Sequence, residues 1–205
     1  MRRLSIIFIL LPLLWTGAAA TERNAPGRFT FGAEWGYMCI FYSGYHYNFF
    51  APEGYRVDPR GHGFTFRSNG EAYLHVGYDL GRRSNISLYT GFSAVEDYHH
   101  IIPVSLRYTT YYKENSKGDR WFSFLDLGSG ISIKNSPREI LSAKAGGGYR
   151  MSLSKDAMLD FVISLRSVLT HPDIDYYGTR IPEEKINRNN AYASALSIGI
   201  SLTFK

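Results

Sequence analysis

From Phe29 onward, apolar residues alternate one by one with small or polar ones. Phe29, Phe31, Ala33, Trp35, Tyr37, Cys39 and Phe41 share one parity, and Thr30, Gly32, Glu34, Gly36 and Met38 share the other. Successive side chains of a strand point to opposite faces, so this spacing predicts a strand with one apolar and one small, polar face. The division recurs along the chain. Ala72, Leu74, Val76, Tyr78 and Leu80 oppose Tyr73, His75, Gly77 and Asp79. Ile86, Leu88, Thr90 and Phe92 oppose Ser87, Tyr89, Gly91 and Ser93. Ile102, Val104, Leu106 and Tyr108 oppose Ser105, Arg107 and Thr109, and Trp121, Leu125, Leu127, Ile131 and Ile133 oppose Asp126, Gly128 and Gly130. Leu141, Ala143, Ala145, Tyr149 and Met151 oppose Ser142, Lys144, Gly146, Gly148 and Arg150. Leu159, Phe161, Ile163 and Leu165 oppose Asp160, Ser164 and Arg166. Finally, Tyr192, Leu196, Ile198, Ile200, Leu202 and Phe204 oppose Ser197, Gly199, Ser201 and Thr203. Eight strands and no sustained helical period predict an all-β chain.

The charges decide what the apolar faces meet. Glu34, Asp79, Arg107, Asp126, Lys144, Arg150, Asp160 and Arg166 all lie on the small, polar parity, and the apolar parity carries none. One charge facing lipid at mid-membrane costs about 2–4 kcal/mol, which explains such strict segregation if the apolar face meets lipid. A soluble barrel would instead spread long charged residues over its polar outer face. Here that parity is rich in Gly and Ser, which leave room for a few large charged side chains in a narrow lumen. The expected architecture is a transmembrane antiparallel up-and-down β-barrel of about eight strands with a filled polar interior.

The connections alternate in length, as the two ends of such a barrel require. Short turns fall at residues 81–84, 113–120 and 152–156. Opposite them lie a long first loop at about 43–62, modest loops at 95–100 and 134–139, and a long final loop at 170–190. Ser68-Asn69-Gly70 is a hairpin signal. Yet the parity continues through it from Phe64 and Phe66 to Ala72 and Leu74, which predicts one long strand with a bulge near Gly70. If Tyr45, Tyr47 and Phe49 extend the first strand on its apolar parity, His46 takes inward parity and the first hairpin projects beyond the membrane.

The start of the chain has a different pattern. Arg2 and Arg3 precede an apolar run from Leu4 to Trp15, then Gly17-Ala18-Ala19-Ala20. This predicts a cleaved secretory leader over residues 1–20, followed by a single domain over 21–205. The formal charge of +5 falls to +3 once Arg2 and Arg3 leave, too mild to imply a nucleic-acid partner. Cys39 is the only cysteine, so neither an internal disulfide nor a cysteine-based metal site is expected.

Essentially the whole mature chain resembles the small outer-membrane β-barrels of Gram-negative bacteria, the group that includes the OmpX-like proteins and the membrane domain of OmpA. The final Leu196-x-Ile198-x-Ile200-x-Leu202-x-Phe204 is similar to the C-terminal signal read by the barrel-insertion machinery in that group, although Lys205 follows the aromatic. The resemblance implies a place in the outer membrane, with lipid including lipopolysaccharide and the insertion machinery as partners.

Antiparallel register turns the inward charges into pairs. If Tyr112 faces Trp121, Arg107 faces Asp126; if the 152–156 turn is tight, Arg150 faces Asp160. The charges then either form an ion-paired plug, with a structural or surface-interaction role left to the loops, or gate a narrow channel. A lipid A-modifying enzyme needs a histidine and serine on the lipid side. His75 has inward parity, Ser123 and Ser129 have no histidine on their own strand, and no catalytic residue or cofactor is assigned. His99-His100 suits an ion only in a loop conformation, and no metal site is assigned. Tyr42, Tyr45, Tyr47, Phe49 and Phe50 suit an interfacial girdle. Tyr55, Tyr176 and Tyr177 are candidate contacts on the outer loops.

Overall fold

The computed structural model describes residues 29–96, 99–113, 118–132 and 140–205. The expected leader, Ile133 and the 134–139 loop lie outside the described residues. Eight long strands follow in order: β1 (Phe29–Phe50), β2 (Arg60–Asp79), β3 (Ser84–Glu96), β4 (His99–Tyr111), β5 (Arg120–Ser132), β6 (Ile140–Ser152), β7 (Ala157–Thr170) and β8 (Ile186–Phe204). Each pairs antiparallel with its neighbours in sequence. β8 also pairs with β1, from Phe31 opposite Phe204 onward, which closes the sheet into a ring. Closure removes the two open edges that a sheet of this size would otherwise expose.

Burial follows the parity of the sequence. Thr30, Glu34 and Met38 of β1 are buried, while Phe29, Phe31, Trp35 and Tyr37 are exposed. The same holds around the ring, where Leu74, Val76, Leu88, Leu106, Leu127, Leu141, Ile163, Leu165 and Ile198 all stand exposed on the outside. An apolar outer face that wraps a closed sheet is the inverse of a water-soluble surface.

The lumen is filled in layers. Met38, Ile40, Ala193 and Ala195 form one apolar cluster and Ile101, Ile140 and Val168 another, both toward the end where the long loops lie. Tyr111, Phe122, Phe124 and Val162 form a third cluster on the side of the short turns. Glu34, Glu71, Arg107, Lys144 and Arg166 sit between these clusters, while the buried Arg150, Asp160, Thr30 and Asn85 lie nearer the short turns.

Three expectations change. First, the register shifts lie at Phe41 on β1 and at Thr65–Phe66 on β2, and not at Gly70: Ile40 and Tyr42 face Ala195 and Ser194 of β8, so Phe41 is the extra residue there, and they face Arg67 and Phe64 of β2, which adds one residue more. β2 runs through Asn69-Gly70 in unbroken register with Met38 and Tyr37. Second, one inserted residue reverses every later side chain. Tyr45 now faces Ala191, and Ser43 faces the buried Ala193, so Tyr45 and Tyr47 take luminal parity and His46 takes the outer one. Third, the first loop is shorter than 43–62, because β1 continues to Phe50 and β2 begins at Arg60. The upper parts of β1, β2 and β8 project beyond the rest of the ring. Pairing of β3 with β2 ends at Ser93 opposite Glu71, and pairing of β7 with β8 ends at Thr170 opposite Ala191.

The glycines on the luminal parity are a packing requirement. A Cβ at Gly148 would collide with the Phe161 carbonyl oxygen and the Phe122 ring, whereas Gly63, on the projecting part of β2, has open space around it. Gly148→Val should therefore destabilise the folded protein by about 1–3 kcal/mol. Gly63→Val should stay within about 0.5 kcal/mol of the parent. Urea midpoints of the heat-modifiable gel band measure both.

Candidate functional site

The centre of the lumen holds a chain of alternating charges. Arg107 donates to Glu34 through both terminal nitrogens, Nη1 to Oε2 at 2.6 Å and Nη2 to Oε1 at 3.2 Å, and its Nε donates to Asp126 at 3.1 Å. Lys144 Nζ reaches Glu34 Oε1 at 3.1 Å and Glu71 Oε1 at 2.8 Å. Arg166 Nη1 lies 3.3 Å from Glu71 Oε2. The order is Asp126, Arg107, Glu34, Lys144, Glu71, Arg166, each sign followed by its opposite. All six are buried.

Register explains why these residues meet. Arg107 stands opposite Asp126 across β4 and β5, and Arg150 opposite Asp160 across β6 and β7. The second pair is bidentate, with Arg150 Nε and Nη2 each 2.7 Å from an Asp160 oxygen, and stays separate from the alternating chain. Lys144 and Arg166 also stand opposite each other, two like charges side by side. That pairing is destabilising unless an anion lies between them. Glu71 supplies it, with one oxygen to each cation.

Glu71 is the residue that sequence reasoning missed. It follows Asn69-Gly70, where a turn was suspected, but its odd number shares the luminal parity of Tyr73 and His75. Further donors complete it: Tyr73 Oη at 2.9 Å and Ser197 Oγ at 2.8 Å. Asp79 is not part of the chain. It lies at the mouth beside the short turns, where it accepts from Asn85 at 2.9 Å and pairs with Lys205 at 3.2 Å.

Aromatic rings pack the cations in. The Arg107 guanidinium carbon is 3.8 Å from the Tyr89 ring centre and 4.3 Å from that of Phe124, and Arg150 lies 4.6 Å from Tyr111. Such contacts contribute about 2 kcal/mol when desolvated. His75 stacks on Tyr89 at 4.7 Å. Its two ring nitrogens meet no hydrogen-bond partner among the described residues, and they border a cavity of about 20 Å³ shared with Thr30, Arg107 and Thr203. That is room for one water and no larger ligand.

The second region is the outer tip. Phe49, Ile174 and Ile181 form a small buried core that joins the first and last loops, with Tyr47, Val57, Tyr176 and Ile186 packed against it. The Tyr55 and Tyr176 hydroxyls hydrogen-bond at 3.0 Å, which holds the Tyr176 phenol above its ordinary range. Tyr177 is 89% exposed and has a φ of 48°, beside Gly178 in the turn between two short strands. Asp58 accepts a hydrogen bond from the His46 ring at 2.9 Å, which holds its carboxyl below the usual range. His99 and His100 fall within β4, and no group of three or more metal-ligating side chains occurs among the described residues.

The separation between the charge chain and the isolated pair is testable. Removing one member of a buried ion pair leaves an unpaired charge and costs about 3–5 kcal/mol. Asp160→Leu alone should therefore be strongly destabilising, while Asp160→Leu with Arg150→Met should recover most of the loss. Glu34→Gln takes one of two carboxylate partners from both Arg107 and Lys144, so no single second substitution should rescue it. Urea titrations of the folded band measure these differences.

No protein-family profile and no curated protein matches the sequence. Solved structures do resemble it. The outer membrane protein OprG from Pseudomonas aeruginosa superposes with a TM-score of 0.53 at 12% identity, over 88% of this chain and 96% of that one. Neisserial surface protein A gives a TM-score of 0.46 at 10% identity, over 86% and 98%. The N-terminal β-barrel domain of Pseudomonas aeruginosa OprF gives 0.41 at 16% identity, over 83% and 97%. At these identities the likeness is one of fold, and the OprG superposition carries it. The chain has the fold of the small eight-stranded outer-membrane β-barrels.

Proposed function

We propose that this protein is a non-enzymatic outer-membrane barrel with a sealed lumen, whose task is structural or lies in surface interaction through its outer loops. One observation carries the proposal: the exposed apolar belt surrounds a ring whose ionisable residues are turned inward and paired. Lipid, including lipopolysaccharide, is the partner of the belt. The last strand, ending at Phe204, is the segment offered to the barrel-insertion machinery. Residues 1–20 are the leader that directs export, and residues 21–205 form the single mature domain.

The lumen favours the plug over the channel. Ions would have to pass the Met38–Ile40 cluster, the charge chain and the Tyr111–Phe122 cluster, and the cavity there holds no more than a water. With the lumen sealed, the chemistry available to a ligand is at the tip, where Tyr55, Tyr176 and Tyr177 stand on a packed base.

Planar-bilayer recordings separate the two. The parent protein and the double variant Arg107→Ala, Asp126→Ala should both leave the baseline current unchanged, because the apolar layers remain. Discrete conductance steps in the parent, or their appearance in the variant, would favour a gated channel. The lipid A mass spectrum should be the same in expressing and deleted cells. The protein should fractionate with the outer membrane and shift its gel migration on heating.

A further inference from the structure

The inserted residue at Phe41 gives the outside of the barrel a charged surface. Beyond it the even-numbered residues of β1 take the outer face: Tyr42 stands between Phe64 of β2 and Ser194 of β8, and His46 between Arg60 and Asn190. The lower rung of this face is aromatic. The Tyr42 ring lies 5.5 Å from that of Phe64 and 5.8 Å from that of Tyr192, and Tyr192 covers Gly44, where a Cβ would strike its ring. The upper rung is cationic. His46 has an arginine on each side, Arg60 by register and Arg188 by contact, with Arg188 Nη1 at 3.1 Å from His46 Nδ1.

The two rungs straddle the outer boundary of the membrane. A strand crosses the hydrocarbon layer in about 9–11 residues. Counted from Phe29, the crossing of β1 ends just below Tyr42, where a girdle of aromatic rings belongs. From Phe64 to Arg60, β2 climbs about 10 Å if its tilt is about 40°. The headgroup layer is about 5–8 Å deep. His62 therefore falls inside that layer and Arg60 at its upper edge, within reach of a long side chain.

Charge is balanced in the lumen and unbalanced here. Inside, each cation of the charge chain touches a carboxylate. On the outer face an arginine can only donate, so His46 Nδ1 accepts from Arg188 and Nε2 carries the proton to Asp58 at 2.9 Å. His46 is then neutral, and Asp58 offsets Arg188 through it. Arg60 and His62 are exposed, and neither side chain has a hydrogen bond or ion pair among the described residues. Arg60 is the surplus charge of this face.

We propose that Arg60, with His62 below it and Arg188 across β1, binds a phosphate group of an outer-leaflet lipid whose acyl chains lie against the aromatic rung and the belt beneath. The planar guanidinium fits two phosphate oxygens at once. The face is continuous with the lipid-facing wall and sits at headgroup height, so the phosphate is that of a lipid and not a free ion. This binding rests on the outer-membrane placement of the barrel.

Lipid retention by the full chain, purified from outer membranes in detergent, tests the site. Native mass spectrometry counts bound lipid A and bound dephosphorylated lipid A, and then lipid A in the presence of inorganic phosphate. The parent should prefer the phosphorylated lipid by about tenfold, the weight of one charge-assisted contact. Inorganic phosphate should leave the lipid bound, because it lacks the apolar part. Arg60→Glu should remove the preference, whereas Arg60→Lys keeps the charge and should retain part of it. Arg180→Ala, at the tip where Arg180 pairs with Asp173, should leave the preference unchanged. Fractionation and heat-dependent migration report placement and folding separately, so a chain outside the outer membrane counts against the placement and not against the site. In a folded outer-membrane protein, equal binding of the two lipids, equal loss in Arg180→Ala, Glu and Lys variants of Arg60 that behave alike, or displacement of the lipid by inorganic phosphate would overturn the proposal.

Discussion

Glu34 and Glu71 hold the lumen together. The barrel must put its charged residues inside if its outer wall is apolar, and eight strands enclose too little space to keep them hydrated. Each charge therefore needs a protein partner, and the two glutamates each touch two cations. From them the pairing runs outward to Asp126 at one end and Arg166 at the other. A Cβ at Gly128, Gly146 or Gly148 would meet the backbone of the facing strand, with Ser105, Ser164 or the Phe122 ring beside it. Removing one carboxylate is costly because of what it strands, not because each bond is strong.

Much of this was legible in the sequence because a period of two survives the passage from chain to sheet. Strand order, the facing of almost every side chain, and the Arg107–Asp126 and Arg150–Asp160 registers follow from parity and tight turns. Two features did not follow, the first because parity counts residues and cannot see where a strand adds one. Phe41 is such a residue, and beyond it Tyr45, His46 and Tyr47 turn to faces opposite to those their numbers suggested. Glu71 was hidden by the neighbouring Asn69-Gly70, whose turn signal is local, while pairing with Tyr37 and Met38 on β1 overrides it. The luminal apolar layers had a quieter signal, since Phe122, Phe124 and Val168 share the polar parity but look like ordinary core residues.

The tip was legible only as a list of tyrosines. What the fold adds is their footing. Phe49, Ile174 and Ile181 tie together two loops that are distant in sequence, and the Tyr55–Tyr176 hydrogen bond fixes their upper surface. In the proposed reading, a filled lumen and a packed tip divide the molecule into a part that holds a membrane position and a part that faces outward.

The central claim is that the apolar parity meets hydrocarbon. After the expected leader the chain has two tryptophans, Trp35 and Trp121, both on the outer wall at 67% and 63% exposure. Fluorescence in vesicles of lipids brominated along the acyl chain tests the claim on the unmodified barrel. Blue-shifted emission that the bromines strongly quench, and that aqueous iodide leaves untouched, is the predicted result. Emission quenched by iodide and indifferent to brominated lipid would contradict it.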